Sequence, residues 1–214
     1  ARIARAQETL DAAEAELARA AKLLARRRAD AAPRFCREVG KQMSRLEMGK
    51  AELVWDMRPL PRERWTEMGP HACELLYRGA SGLTPRPLRR IASGGELSRV
   101  MLACKVVLGE VDGVDTLVFD EVDAGVGGAV ARSLAAVLAD LARTHQSSSL
   151  PTVAQVAVLA ERHYVVEKLE GDVPETRLSR VEGEDRVREI ARMLSGDATE
   201  TSLAHAREML SLTK

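Results

Sequence analysis

The chain has 214 residues, and its 32 Lys and Arg are balanced by 32 Asp and Glu. This length allows one or two domains with a buried core, and the balanced charge excludes a global field that would draw the whole chain to nucleic acid or to a membrane. Three cysteines without metal-ligand spacing predict reduced thiols and not a disulfide framework. No apolar run reaches the roughly 20 residues of a membrane helix, and we find no signal peptide, so we expect a soluble, cytoplasmic α/β protein.

The first residues predict the end of a coiled-coil arm. Apolar residues recur there every seven positions, with alanine at the intervening core positions: Ile3, Leu10, Leu17 and Leu24, and Ala6, Ala13 and Ala20. This is the heptad pattern of a coiled coil, although a surface helix of a globular domain has similar spacing. The repeat breaks near Arg26–Arg28, which we interpret as a solvated face, with a DNA contact as the alternative. Pro33 is expected to end or kink the helix, so the predicted arm is residues 1–32.

Strands and helices alternate in the remaining residues, 33–214. A second helical pattern runs over 35–46. Strands are predicted at 51–57, 74–78, 117–119, 164–168 and 175–181, and helices at 96–108, 129–142, 184–194 and 199–210. Residues 79–87 predict a loop, and Gly171-Asp172 a turn. The apolar run 117–119 is typical of a parallel sheet covered on both faces. Together the elements predict an α/β sheet with an antiparallel component.

The stretch Ser93-Gly94-Gly95-Glu96 can present backbone N–H groups to a phosphate. Ser93 is a suitable N-cap, and Glu96 three residues later completes a capping box. Glycines allow close approach of a ligand, and a helix N-terminus offers free N–H groups and the positive end of the helix dipole. Plain helix capping is the alternative for these residues alone.

Two adjacent carboxylates, Asp120 and Glu121, end the apolar strand about 20 residues downstream. Ligands bind at the carboxyl ends of parallel strands, and Mg²⁺ accepts one or two carboxylates while it keeps several waters. The second carboxylate can align or deprotonate an attacking water. Solvated loop residues are the alternative, which the glycine stretch upstream disfavours.

These motifs resemble those of the SMC-like ABC ATPases. Residues 92–99 resemble the signature motif, and 116–121 the Walker B strand. The continuation, residues 122–128, resembles the bacterial RecN family of DNA repair proteins, as do the tail segments 191–196 and 202–210. The resemblance covers residues 88–210, and more loosely the first helix. It implies the C-terminal lobe of a P-loop ATPase head, a mixed sheet with flanking helices, after a coiled-coil stump.

The resemblance also implies roles for single residues. Ser93, Gly94 and Gly95 would contact the γ-phosphate of ATP held by a second subunit, and Glu96 belongs to the same stretch. Asp120 would be the Mg²⁺ carboxylate, and Glu121 the general base. Asp123 would lie in a loop that communicates across the dimer and would belong to the nucleotide site. The implied partners are the N-terminal lobe of the same polypeptide, a second copy joined through ATP, and DNA.

Two departures from the family pattern matter. A phosphate-binding lysine loop has the pattern Gly, any four residues, then Gly-Lys-Ser/Thr. The chain has two Gly-Lys pairs, at 40–41 and 49–50, and neither of them fits this pattern. We therefore expect a C-terminal fragment that by itself neither binds ATP tightly nor hydrolyses it. The family also has a Thr-His pair after the next strand, and here Thr152 occupies the histidine position, after the run Ser147–Ser149. We interpret that run as a local alteration, with the switch histidine missing.

The function predicted from the resemblance is ATP-dependent head dimerisation and hydrolysis in double-strand-break repair. Another SMC-like, chromosome-organising ATPase is one alternative, and a non-catalytic dimerisation module is the other. Aromatic residues make up only 3% of the chain, so a DNA contact would be directed at phosphates through clusters such as Arg86, Arg89 and Arg90. Solvated loop residues are an equal alternative for those arginines.

Overall fold

The computed structural model describes residues 2–91, 93–169 and 175–212. The helices are α1 (Arg2–Arg45), α2 (Gly94–Leu108), α3 (Gly128–Leu141), α4 (Ala154–Ala157), α5 (Gly183–Ser195) and α6 (Glu200–Ser211). The strands are β1 (Glu52–Pro59), β2 (His71–Arg78), β3 (Arg86–Pro87), β4 (Thr116–Asp120), β5 (Gln146–Leu150), β6 (His163–Leu169) and β7 (Glu175–Val181). Two compact units result, 1–44 with 49–91 and 45–48 with 92–214.

The first unit contains a single long helix where the sequence predicts two. Pro33 lies inside α1 and does not end it. Proline removes one backbone donor, but the buried residues continue past it, with Ala32 on one side and Val39 and Met43 on the other. The gain from burying this stripe outweighs the lost hydrogen bond. The predicted arm boundary after residue 32 falls inside α1 and stays a prediction.

An antiparallel sheet of β1, β2 and β3 completes the first unit. The register pairs Glu52 with Arg78 at one end of the β1–β2 ladder and Pro59 with His71 at the other. The guanidinium of Arg28 donates to the carbonyl of Met68 at 2.7 Å and lies 3.7 Å from Sγ of Cys73. The interpretation of Arg26–Arg28 as a solvated face is therefore wrong for Arg28, because its side chain joins α1 to the chain around β2.

The second unit contains a parallel pair of strands, β4 and β5. The register aligns Thr116 with Gln146 and Asp120 with Leu150. On β4, Leu117 and Phe119 are buried, but Val118 is 67% exposed. The prediction that this strand is covered on both faces is therefore wrong for the part of the chain that the structure describes, where only one face is covered.

A hairpin and two helices follow. Strands β6 and β7 pair antiparallel, from His163 opposite Val181 to Leu169 opposite Glu175. The predicted turn at Gly171-Asp172 lies outside the described residues. Helices α4, α5 and α6 share a hydrophobic cluster, whose buried members are Ala154, Ala157, Val158, Val187, Ile190, Ala191 and Ala206. In the described ranges, no helix has both the length and the apolar character needed to cross a membrane.

The junction between α5 and α6 is held by local capping. Gly196 ends α5 with φ +85°, a left-handed conformation that glycine adopts without steric cost. Thr199 then caps α6: its hydroxyl accepts from the N–H of Ser202, and the Ser202 hydroxyl accepts from the N–H of Thr199. This reciprocal pair satisfies N–H groups that the first turn of a helix otherwise leaves without partners.

Replacement of Thr199 by alanine tests this cap. We expect Thr199→Ala to lower the free energy of unfolding by about 1 kcal/mol, because the first turn of α6 loses its side-chain acceptor. Thr201→Ala, two residues further along on an exposed position, is the matched control and should change it by less than about 0.5 kcal/mol. Urea denaturation followed by circular dichroism measures both, and equal effects would contradict the capping role.

Candidate functional site

The two adjacent carboxylates lie where β4 ends. Asp120 is the last residue of the strand, Glu121 follows it, and both are exposed. Glu121 has φ +53°, a left-handed conformation that costs a non-glycine residue about 1 kcal/mol or more. Neighbouring groups must therefore hold the backbone there, and the start of α2 supplies several of them.

The N-terminus of α2 contacts this carboxylate. The hydroxyl of Ser93 accepts from the N–H of Glu96 at 3.3 Å, so the Ser93 half of the predicted capping box is present. A Cβ atom on Gly94 would lie 3.0 Å from Oε2 of Glu121. A side chain at position 94 would therefore require the flexible Glu121 carboxylate to shift by a few tenths of an ångström, and glycine leaves the start of the helix open.

Gly95 permits an even closer approach of backbone to backbone. A Cβ atom there would lie 2.9 Å from the carbonyl oxygen of Ala124 and 3.1 Å from its methyl group. Real Cβ atoms do not approach a carbonyl oxygen so closely, and a backbone atom cannot swing aside as a flexible side chain can. The second glycine is therefore required by packing within this chain.

Ser98 and Arg99, on the next turn of α2, form hydrogen bonds to the same loop. The hydroxyl of Ser98 donates to the carbonyl of Asp120 at 3.1 Å, and the Arg99 guanidinium lies 3.4 Å from the carbonyls of Val122 and Ala124. Both residues lie in the stretch 92–99, whose resemblance to the signature motif predicts no separate role for either of them. Ser98 and Arg99 lie four residues after Gly94 and Gly95 and therefore on the same face of α2, and this spacing was the signal available.

Asp123 is fully buried in the same loop. Its Oδ2 accepts from the backbone N–H of Thr152 at 2.6 Å and of Val153 at 2.9 Å. Its Oδ1 is also inaccessible to solvent and has no hydrogen-bond partner among the described residues. The predicted place of Asp123 in the nucleotide site stays a prediction.

The donor set fits a magnesium ion that is bound largely by water and phosphate. Among the described residues, no group of three or more His, Cys, Asp or Glu side chains could hold a metal ion. Mg²⁺, however, is often bound by one or two carboxylates together with waters and substrate phosphates. Asp120, exposed at the end of β4, is suited to that arrangement, and its predicted metal role stays a prediction.

The segment after β5 reaches the same edge of the sheet. The run Ser147–Ser149 lies within β5, so the altered stretch still forms a strand. Thr152 is exposed beyond its end, and the predicted absence of a switch histidine at this position stays a prediction. His145 precedes the strand, is buried, and has Nδ1 2.8 Å from the hydroxyl of Thr144.

Comparison with known proteins identifies relatives of this chain, although no protein-family model matches it. It is 41% identical over 212 residues to the DNA repair protein RecN of Streptomyces coelicolor, which covers 94% of this chain and 37% of that protein. It is 40% identical over 230 residues to the DNA repair protein RecN of Mycobacterium leprae, covering 98% of this chain and 39% of that protein. The chain thus spans well under half the length of these relatives.

A solved structure shows the fold. An Smc head domain with a coiled coil and joint, derived from Pyrococcus yayanosii, superposes with a TM-score of 0.55 at 16% identity, over 75% of this chain and 29% of that chain. The predicted fold class, an α/β head lobe preceded by a coiled-coil stump, is therefore confirmed. With the identities to the two bacterial proteins, this establishes that the chain belongs to the RecN family.

Proposed function

We propose that this chain is the C-terminal half-lobe of an ATPase head that acts in DNA double-strand-break repair, in the cytoplasm and associated with the nucleoid. The N-terminal lobe of the same polypeptide would complete it for Mg²⁺-dependent ATP hydrolysis. The observation that carries the proposal is the contact between Gly94, at the open start of α2, and the Glu121 carboxylate at the end of β4. It brings N–H donors and two exposed carboxylates to one surface.

Each group has a role in this proposal. The start of α2, with Ser93, Gly94 and Gly95, offers backbone N–H groups and a positive dipole end to a phosphate. Asp120 would hold Mg²⁺, which neutralises charge on phosphate oxygens. Glu121 would accept a proton from the attacking water, because its exposed carboxylate directly follows the proposed Mg²⁺ ligand Asp120 at the end of β4.

Two exposed apolar residues on the β4–β5 pair support a completing lobe. Val118 is 67% exposed and Leu150 54% exposed, both in a parallel pair of the kind that is normally covered on both faces. The heptad residues of α1 are similarly open, with Ile3 87% exposed and Leu10 52% exposed. A returning helix of a coiled-coil arm, paired along residues 1–32, would cover them.

Replacement of the proposed base tests hydrolysis. A chimera in which this chain replaces the matching segment of the S. coelicolor protein supplies the missing lobe. We expect Glu121→Gln to lower its ATP turnover by about 100- to 10,000-fold, because general-base catalysis contributes that much, while ATP still binds. Steady-state hydrolysis and nucleotide binding measure the two effects.

The controls for this experiment separate the alternatives. The chain alone should turn over no ATP above buffer level, and turnover by it would contradict the need for a second lobe. Glu167→Gln, on an exposed position of β6, should leave the turnover of the chimera unchanged. Unchanged turnover in Glu121→Gln would remove Glu121 as the base, and a chimera that dimerises but never hydrolyses would favour the dimerisation module.

A separate part of the proposal concerns which of two heads supplies each group to one ATP molecule. The resemblance implies that the start of α2 serves ATP held by a second subunit, while Glu121 serves ATP in its own head. The closeness of Gly94 to Glu121 also allows the other arrangement, in which one chain presents both groups to one nucleotide. A mixture of two inactive variants distinguishes these arrangements.

Mixing Ser93→Arg with Glu121→Gln chimeras should restore turnover. In a mixed dimer with shared sites, one nucleotide meets an intact Ser93 on one subunit and an intact Glu121 on the other. Equal mixing should then recover about a quarter of the unmodified rate, if the two variants pair at random and one of two sites works in half of the dimers. No recovery, with mixed dimers verified by pull-down of a tagged subunit, would place both groups on the same nucleotide.

Charge distribution supports DNA as a partner of the first unit. Residues 1–44 and 49–91 hold 18 Lys and Arg against 11 Asp and Glu, although the whole chain is balanced. Of the predicted cluster, Arg89 is 2.6 Å from a carboxylate oxygen of Glu74. Arg86 and Arg90 are exposed and form no ion pair within the described ranges, so they are the better candidates for phosphate contacts.

Removing both arginines tests this contact. We expect Arg86→Ala with Arg90→Ala to weaken binding of the chain to double-stranded DNA and to reduce the slope of log affinity against log salt by about 2. Fluorescence anisotropy at several salt concentrations measures the slope. Arg143→Ala with Arg162→Ala removes two exposed arginines from the second unit and is the charge-matched control. Equal losses in both double variants would mean that net charge alone attracts DNA.

A further inference from the structure

Asp123 joins the loops that follow two neighbouring strands. Oδ2 receives two backbone hydrogen bonds, from Thr152 at 2.6 Å and from Val153 at 2.9 Å. Asp123 lies three residues beyond the end of β4, and the two donors follow β5, which pairs directly with β4. A buried carboxylate is costly unless hydrogen bonds compensate it, and charge-assisted bonds to backbone N–H groups are strong ones.

The segment that Asp123 holds is part of a fixed body. Thr152 and Val153 lead into α4, whose Ala154 and Ala157 belong to the hydrophobic cluster with α5 and α6. At the other end of α4, the Arg186 guanidinium donates to the carbonyls of Ala157, Val158 and Ala160, at 3.3, 3.1 and 2.6 Å. Helix α4 is thus tied at both ends and packed along its length, so its N-terminal end is a firm anchor.

The loop that carries Asp123 is held from its other side by α2. Arg99 lies against the carbonyls of Val122 and Ala124, the two neighbours of Asp123, and Val122 is itself fully buried. Glu121 is only two residues before Asp123 and has a left-handed backbone. Its orientation therefore depends on where these bonds fix the loop.

We propose that Asp123 is a positioning residue that ties the Glu121 loop to the segment Thr152-Val153, and that it touches neither nucleotide nor Mg²⁺. The inference rests on the proposed function for the role of Glu121. Both carboxylate oxygens are out of reach of solvent, so neither is offered to a ligand at the surface. Only Oδ2 makes the tie, and Oδ1 has no donor within the described residues.

This arrangement predicts which substitutions preserve the tie. Asparagine keeps one oxygen that can accept from Thr152 and Val153, and its amide group can take the place of Oδ1. Alanine removes the acceptor and leaves both N–H groups without it. A residue that acted as a charged ligand would instead fail equally as asparagine and as alanine.

The first experiment measures the tie in the chain alone. Amide hydrogen exchange by NMR should be at least 10-fold faster at Thr152 and Val153 in Asp123→Ala, and within 3-fold of the unmodified chain in Asp123→Asn. The amide of Gln146, bonded to the carbonyl of Asp115 at 2.9 Å, reports whether the fold as a whole has loosened. Asp115→Ala, which removes an exposed carboxylate, is the matched control variant. Unchanged protection at Thr152 and Val153 in Asp123→Ala would overturn the tie.

The second experiment measures the consequence for turnover in the chimera with the S. coelicolor protein. We expect Asp123→Ala to lower kcat at least 10-fold with KM for ATP within 3-fold, and Asp123→Asn to keep both within 3-fold. A kcat loss in Asp123→Asn as large as in Glu121→Gln, or a raised KM, would overturn the proposal in favour of a ligand role. If Asp123→Ala does not fold, the kcat and KM of Asp123→Asn alone decide between a positioning role and a ligand role. An inactive unmodified chimera would count against the proposed function only, and the exchange measurement would still test the tie.

Discussion

The close approach of the start of α2 to the loop after β4 is the constraint on which the candidate site depends. At Gly95 a side chain is excluded by the Ala124 backbone, and at Gly94 a side chain would crowd the flexible Glu121 carboxylate. Ser98 and Arg99 then bond the same loop from the next turn of the helix. The glycines therefore have two effects. The absence of side chains lets the loop pack against α2, and it leaves the N–H groups at the helix start accessible.

The sequence predicted those parts of the site that have local signals. Ser93 before a glycine pair marks a helix start, and an apolar run that ends on Asp120 marks the carboxyl end of a strand. Both elements are present at those positions. Their mutual contact could not be read from spacing, because it depends on how α2 lies along β4. The burial of Asp123 and its hydrogen bonds could not be predicted for the same reason, because its donors are 29 and 30 residues away in the sequence.

The fold errors have the same physical origin. Strand β5 contains Ser147–Ser149, which show no apolar pattern, and it exists through parallel pairing with β4. Pro33 carries a local stop signal, yet α1 continues because residues on both sides of it are buried. In each case a non-local gain outweighed a local preference. The elements with strong periodicity or capping signals, such as α3 and α6, were predicted closely.

The backbone at Glu121 shows why this loop needs supporting bonds. A left-handed glutamate stores strain, and that strain persists only if the surroundings fix the loop. Here the fixing groups are Ser98 and Arg99 on one side and the Asp123 tie on the other. The Glu121 carboxylate is exposed and forms none of these bonds. The groups that hold this loop are thus distinct from the carboxylate to which we assign the chemistry.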